Sequence, residues 1–136
     1  MKQTLSSLAA LLVIFIAVTV LALESSEVIT VETVMRNVNE SSGIRRTHIW
    51  FVQTQTGVFL EAGSPTNPWV RDLRENPRIV LAGADLEGSY HATLDTSSIA
   101  HKNIRKLMRE KYGWRDWWVD MLFDTSKSQL VTLTQL

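Results

Sequence analysis

The chain has no cysteine, which excludes disulfides, thiol nucleophiles and cysteine-based metal centres. Its three histidines, His48, His91 and His101, are scattered and never fall in an H-E-x-x-H or similar spacing, so no protein metal site is expected. Net charge is missing too. Fourteen basic and 14 acidic side chains cancel, which gives no support to a general nucleic-acid or anionic-membrane role. No nucleophile–base pair can be assembled from the residues present. Repeats, low-complexity tracts and interdomain linkers are also lacking, so 136 residues leave room for one small domain.

What the sequence does have is a long apolar run at its start. After Lys2 no charge occurs until Glu24, and residues 8–23 are almost wholly aliphatic. About 20 apolar residues span a bilayer. The run carries no polar stripe, so it does not suit the surface of a soluble barrel. Residues 1–23 are therefore expected to be a transmembrane anchor or a signal segment; Val20-Leu21-Ala22 is compatible with cleavage, and the reading taken is an anchor. Lys2 before the run, with acidic residues after it, places the domain on the extracytoplasmic side.

Beyond the run, β signals dominate. Residues 28–36 alternate as a first strand with no purely polar face, as in a small barrel covered on both sides. Residues 37–43 are a turn by composition. Residues 44–52, rich in β-branched and aromatic side chains, form a second strand, Thr54-Gln55-Thr56-Gly57 a turn, and residues 58–62 a third strand. Gly63-Ser64-Pro65 breaks the ladder. Asn67 is placed to cap a helix opening on Pro68, and Asn76-Pro77 stops it. Residues 78–82 and 89–94 are further strands. Ser97 or Ser98 caps a helix with Ile99, Ile104, Leu107, Met108 and Tyr112 at helical spacing, Gly113 interrupts it, and more helix follows over 114–123. Residues 129–133 close the count at six strands. The expected fold class is mainly β (α+β): a six-stranded antiparallel split β-barrel over residues 28–133, with helical insertions, behind an N-terminal hydrophobic helix.

Residues 44–77 also carry a family resemblance. Arg45-Arg46-Thr47 before Ile49-Trp50-Phe51-Val52, then Ala62-Gly63-Ser64, then Trp69-x-x-x-Leu73-x-x-Asn76-Pro77-x-Ile79 resemble the split β-barrel flavin-binding, pyridoxamine-phosphate-oxidase-like superfamily. Within it they resemble the deazaflavin-dependent nitroreductase and quinone-reductase branch. Lys111-Tyr112-Gly113-Trp114, followed by Asp124 and Ser126, is similar to the tail of small members. The resemblance implies a homodimer with an FMN or deazaflavin cofactor at its interface, acting as a reductase of a quinone-like or nitroaromatic molecule. A non-catalytic, membrane-associated split barrel that binds a cofactor or lipophilic ligand is the alternative. The fuller Gly-Arg-Lys-Ser-Gly form of the deazaflavin enzymes is absent, which leaves FMN and deazaflavin both open.

The resemblance makes Arg45, Arg46 and Thr47 the phosphate-holding group, and guanidinium forks with a hydroxyl suit that task. A solvated pair of strand charges is the plainer reading. Arg45 and Thr47 share one strand face, Arg46 and His48 the other. Gly63, Ser64 and Asn67 could approach a flavin ring, glycine because it has no Cβ; an ordinary loop would look the same. Trp69 and Leu73, four apart, read as core, with Trp69 also a cofactor contact by resemblance. Arg71 and Arg74 lie on the other side of that helix, solvated or reaching a phosphate. Trp114, Trp117 and Trp118 read as core or dimer contact, with an aromatic shelf or a membrane-interface belt as alternatives. The Tyr112 hydroxyl could donate to a substrate oxygen, and is the sole catalytic candidate. The histidines read as hydrogen-bonded structural residues.

Overall fold

The computed structural model describes residues 2–35 and 43–136. The elements are α1 (Lys2–Glu24), β1 (Val28–Met35), β2 (Gly43–Thr54), β3 (Gly57–Ala62), α2 (Pro68–Glu75), β4 (Arg78–Ala82), β5 (Gly88–Asp95), α3 (Ser98–Tyr112), α4 (Trp114–Leu122) and β6 (Gln129–Gln135). The turn expected over 37–43 lies, up to residue 42, outside the described residues.

The six strands close into an antiparallel barrel in the order β1-β2-β3-β6-β5-β4, with β4 returning to β1 through Thr30↔Ala82, Val31↔Leu81 and Glu32↔Val80. Alternation sets what points inward. Ile29, Val31, Ile49, Phe51, Leu60, Ile79, Leu81, Val131 and Leu133 are buried inside. The outer face of β2 and β3 is not left to water either. α3 lies over it, packing Ile104, Met108 and Tyr112 on Val52, Trp50 and Phe59. That cover explains why these strands alternate so weakly in polarity.

α2 closes the barrel on the side of β1. Trp69, Val70 and Leu73 join the interior cluster, and burying each side chain contributes about 1.5–3 kcal/mol. Its start is at Asn67, as the sequence indicates, but the Asn67 side chain makes no capping hydrogen bond; its carbonyl accepts from Val70 N at 3.0 Å and Arg71 N at 3.2 Å instead. The side chain is thereby left to other partners. α3 is capped by Ser97, whose hydroxyl accepts from Ala100 N at 3.2 Å. Gly113, at φ 56°, breaks α3 from α4 in a conformation that L side chains rarely adopt.

One expectation for this half of the chain is corrected. α4 does not bury its tryptophans in the barrel core: Trp114 and Trp117 are exposed, Trp118 is half-buried against α1, and the fully buried residue of α4 is Asp116. Tyr112, the catalytic candidate, has its hydroxyl among backbone partners. It is 4 % exposed, stacks on Trp50 at 4.2 Å, accepts from Phe51 N at 3.1 Å and donates to Glu27 O at 2.7 Å. The end of α3 is pinned to β2 and to the start of β1 by this one side chain.

Burial pushes the Tyr112 pKa up to about 12, against a smaller opposing effect of its hydrogen bond to Phe51 and with help from the Glu27 and Glu61 charges. The native state therefore holds this proton more tightly than the unfolded chain. Below about pH 10 both states keep it and the contribution to stability is complete. As pH rises from about 10 to 12 that contribution is lost, by roughly 3 kcal/mol. Tyr112→Phe is expected to remove this alkaline loss while lowering stability by about 1–3 kcal/mol at neutral pH. Guanidinium unfolding against pH for the two proteins checks both signs; parallel curves above pH 10 would exclude the assignment.

Candidate functional site

β2 supplies one wall of a cleft of about 570 Å³, through Arg45, Arg46, Thr47, His48, Ile49 and Trp50. The β3-to-α2 connection supplies the other, through Glu61, Gly63, Asn67, Pro68 and Trp69, and α4 adds Val119. A neighbouring cavity of about 770 Å³ shares His48, Glu61, Gly63, Asn67 and Val119, and is extended by Ser64 and Phe123 among others. Local sequence builds this opening. Strand β3 ends at Ala62, and Gly63 to Asn67 must turn before Pro68 starts a helix. A Cβ added at Gly63 would meet no heavy atom within 4 Å, so the protein itself does not require glycine there.

Arg45 and Arg46 leave opposite faces of β2 and are held differently. Arg45 Nε donates to Asp72 Oδ2 of α2 at 2.8 Å, beside the Thr33 hydroxyl, which donates to the same oxygen at 2.7 Å. Arg46 Nε donates to Glu32 Oε1 at 2.7 Å, across the Glu32↔Arg46 register pair. In both cases Nε is the nitrogen used. Among the described residues, neither terminal NH₂ group of either arginine has a hydrogen-bond partner in the protein. Each fork is thus oriented by a carboxylate while keeping the paired N–H groups that match a phosphate.

Of the residues singled out in the sequence, Arg45, Arg46, Thr47, Gly63, Asn67 and Trp69 meet at the first cleft and Ser64 at its neighbour. Arg74 does not line either; it lies exposed on α2. Tyr112 is also elsewhere, under α3. His48 bonds the Thr30 hydroxyl at 3.1 Å, and His101 Nδ1 lies 2.8 Å from Ser128 O, whereas His91 is exposed. Among the described residues, no group of three or more His, Asp or Glu is placed to hold a metal ion.

Sequence reasoning passed over Glu61 and Val119. Glu61 lies on both cavities and accepts from Arg105 Nη1 at 2.6 Å. Arg105 in turn donates through Nη2 to Asp116 at 2.7 Å, and Arg109 Nε donates to Asp116 Oδ2 at 2.6 Å. Burial works to lower the Arg105 pKa, but the charges of Glu61 and Asp116 outweigh it and hold it above the ordinary value. This chain of ion pairs fastens α4 to α3 and β3, and so sets where Val119 stands. A lone Glu in a strand gave no hint of it.

No family model and no curated protein matches the chain. Solved structures do. The conserved hypothetical protein Rv2991 of Mycobacterium tuberculosis aligns with a TM-score of 0.56 at 16% identity, over 83% of this chain and 75% of that one. ChuZ of Campylobacter jejuni aligns with a TM-score of 0.57 at 16% identity, over 96% of this chain but 53% of its own, so the chain spans about half of that protein. The Agrobacterium tumefaciens protein Atu2129, of unknown function, aligns with a TM-score of 0.50 at 13% identity, over 84% of this chain and 50% of its own. At such identities the likeness shows the fold alone: the chain is a six-stranded split β-barrel.

Proposed function

We propose that the cleft binds a flavin-type cofactor, FMN or a deazaflavin, and that the chain is a reductase of a quinone-like or nitroaromatic small molecule. The observation that carries this reading is the meeting of Arg45, Arg46, Thr47, Gly63, Asn67 and Trp69 around one opening of about 570 Å³, within the size range of cofactor sites. Among the described residues the terminal NH₂ groups of both arginines are unpaired; Arg45 shares its face of β2 with the Thr47 hydroxyl and suits a phosphate there, while Arg46 leaves the opposite face and also lines the cleft. Half-buried Trp50 and Val119 offer apolar surface to a planar ring, backed by the buried Ile49 and Trp69. A bound flavin supplies the hydride chemistry; the protein holds its phosphate, orients its ring and shields one side from water. A homodimer that closes the open side of the cleft belongs to the same proposal. So does the use of α1, through Ser6–Glu24, as a membrane anchor with the barrel on the extracytoplasmic side.

One observation favours the second reading, a binding protein without catalysis. The Tyr112 hydroxyl is committed to backbone partners and reaches no ligand. Titrating the purified chain with FMN and with reduced deazaflavin, followed by fluorescence, separates the cases. Binding with turnover of a quinone is the expected result. Binding without turnover leaves the carrier, and no binding of either cofactor removes the reductase and leaves a binding protein for a lipophilic ligand.

Gly63→Val makes a sharper test of the cleft. Its added methyls enter empty space, so stability should stay within about 0.5 kcal/mol of the parent. The same methyls intrude on the ligand, and the Kd for the cofactor should rise about tenfold or more, roughly 1.4 kcal/mol. Equal affinity in the two proteins would place the ring away from Gly63.

A further inference from the structure

α4 carries a face that the barrel does not use. Trp114, Trp117 and Met121 are 45%, 53% and 52% exposed, and spacings of three and four set them on one side of the helix. An apolar aromatic surface of this kind is unusual in water and marks an interaction site.

The helix beside it indicates what covers it. Trp118, next on the same side, contacts α1: its ring lies 5.4 Å from that of Phe15, and its Nε1 donates to the Thr19 hydroxyl at 3.0 Å. Arg115 Nε donates to the Ser25 hydroxyl at 2.7 Å just past the end of α1. α1 itself is exposed over nearly all its described length, and the span Ser6–Glu24 holds an 18-residue stretch of mean hydropathy 2.7. At 1.5 Å per residue the whole of α1, 23 residues, measures about 34 Å, close to the roughly 30 Å of a hydrocarbon core plus a headgroup layer of about 5 Å at one end.

Depth follows from the same rise. Thr19 is about 7 Å along the helix from Glu24, and the headgroup layer on each side of a bilayer is roughly 5–8 Å thick. With Glu24 at the outer edge of that layer, Trp118 sits where headgroups meet acyl chains. Indole rings concentrate at this level because their bodies are apolar and their N–H groups need a polar partner. Trp114 and Trp117 flank Trp118, and the Arg115 guanidinium, 5.1 Å from the Trp114 ring, can keep its charge among the headgroups.

We propose that the Trp114–Trp117–Met121 face of α4 is a membrane seat, and that its occupant is the headgroup–acyl boundary of the bilayer that α1 enters. This rests on reading α1 as an anchor. Val119, elsewhere on α4, lines the cleft, and the Asp116 ion pairs fix α4 to the barrel. One helix is then both cleft wall and membrane contact. The seat holds the cleft about one helix diameter, roughly 10 Å, from lipid, and selects lipophilic, bilayer-dissolved molecules such as quinones as the substrate class.

The absence of cysteine makes the test clean. Single variants Trp117→Cys, Met121→Cys, Ile14→Cys and Ile99→Cys of the full chain are labelled with a nitroxide in phosphatidylcholine vesicles. Collisions with oxygen, which enters lipid, are compared with those of a water-soluble nickel chelate. Ile14 lies within α1, and Ile99 is a 71% exposed control on α3. The expected result is an oxygen-to-nickel ratio at 117 and 121 several-fold above that at 99 and below that at 14. Nickel access at 117 equal to that at 99, with 14 in lipid, overturns the seat and leaves the anchor standing. Aqueous labels at 14 as well overturn both. Labels at 117 shielded from both reagents and spin-coupled to a second copy would assign the face to a dimer and overturn the seat. Unlabelled protein supplies an independent check: brominated lipid should quench its tryptophan fluorescence, less so after Trp114→Phe with Trp117→Phe, and absence of quenching also overturns the seat.

Discussion

Asp116→Ala is expected to lower the unfolding free energy by about 3–5 kcal/mol, among the larger effects a single substitution in this chain can have. Asp116 is fully buried, and both carboxylate oxygens accept charged hydrogen bonds, Oδ1 from Arg105 Nη2 at 2.7 Å and Oδ2 from Arg109 Nε at 2.6 Å. The pairs themselves add little net stability, because removing both charges from water costs nearly what their attraction returns. Removing one partner alone is different. Arg105, with its side chain 14% exposed, would keep Glu61 and a longer contact to Asp120 at 3.8 Å but lose its close second carboxylate, while the more exposed Arg109 keeps Asp120 and can reach water. The loss therefore falls mainly on Arg105. Asp116→Asn should cost less, since it retains the acceptor oxygen and the shape. Guanidinium unfolding monitored by tryptophan fluorescence measures both. A loss under about 1 kcal/mol for the alanine variant would mean that α4 is held by something other than this network.

The contrast between Asp116 and its neighbours shows what the sequence could and could not convey. Strand positions were legible because barrel strands must alternate and must end at turn residues; α2 runs from Pro68 to Glu75 because Pro68 fixes its start and Pro77 its stop. The cleft was legible in large part because one contiguous stretch builds two of its walls. α4 was not. Three tryptophans at helical spacing read as core or dimer contact, yet within the chain the fully buried residue is the carboxylate between them. Its two arginines come from α3, and only the turn at Gly113 brings them opposite Asp116. The pairing of Arg45 with Asp72 and of Arg46 with Glu32 was hidden for a similar reason. Both depend on the register of β1 on β2 and on the docking of α2, which hydrophobic alternation does not specify to the residue. The surroundings of Tyr112 were not legible either: its hydroxyl ties three backbone groups together, of Glu27 and Phe51, far from it in sequence.

Arg45→Ala combined with Arg46→Ala is expected to raise the cofactor Kd at least about a hundredfold. Each guanidinium that meets a phosphate contributes about 1.5–3 kcal/mol in charged hydrogen bonds, so losing two removes roughly 3–6 kcal/mol. The structure supplies a reason to expect the full effect. With Nε already donated to Asp72, the half-buried Arg45 fork has little orientation left to lose on binding, so less of its interaction is spent on ordering the side chain. The same bonds require a control. Arg45→Ala removes a partner of Asp72, whose side chain is 11% exposed, although the Thr33 hydroxyl still donates to it. Stability should fall by about 1–3 kcal/mol from that source, and binding must be measured where the variant is folded. Arg46 is largely exposed and its ion pair with Glu32 contributes little, so Arg46→Ala alone should leave stability nearly unchanged and isolate the phosphate effect. Arg45→Lys, which keeps the charge but loses the fork, should bind with intermediate affinity and with a steeper dependence on salt. An unchanged Kd in the double variant would remove these arginines from the phosphate. The next candidates would then be Arg71 and Arg74, exposed on α2, and the cofactor would have to lie across the outside of the barrel rather than in the cleft.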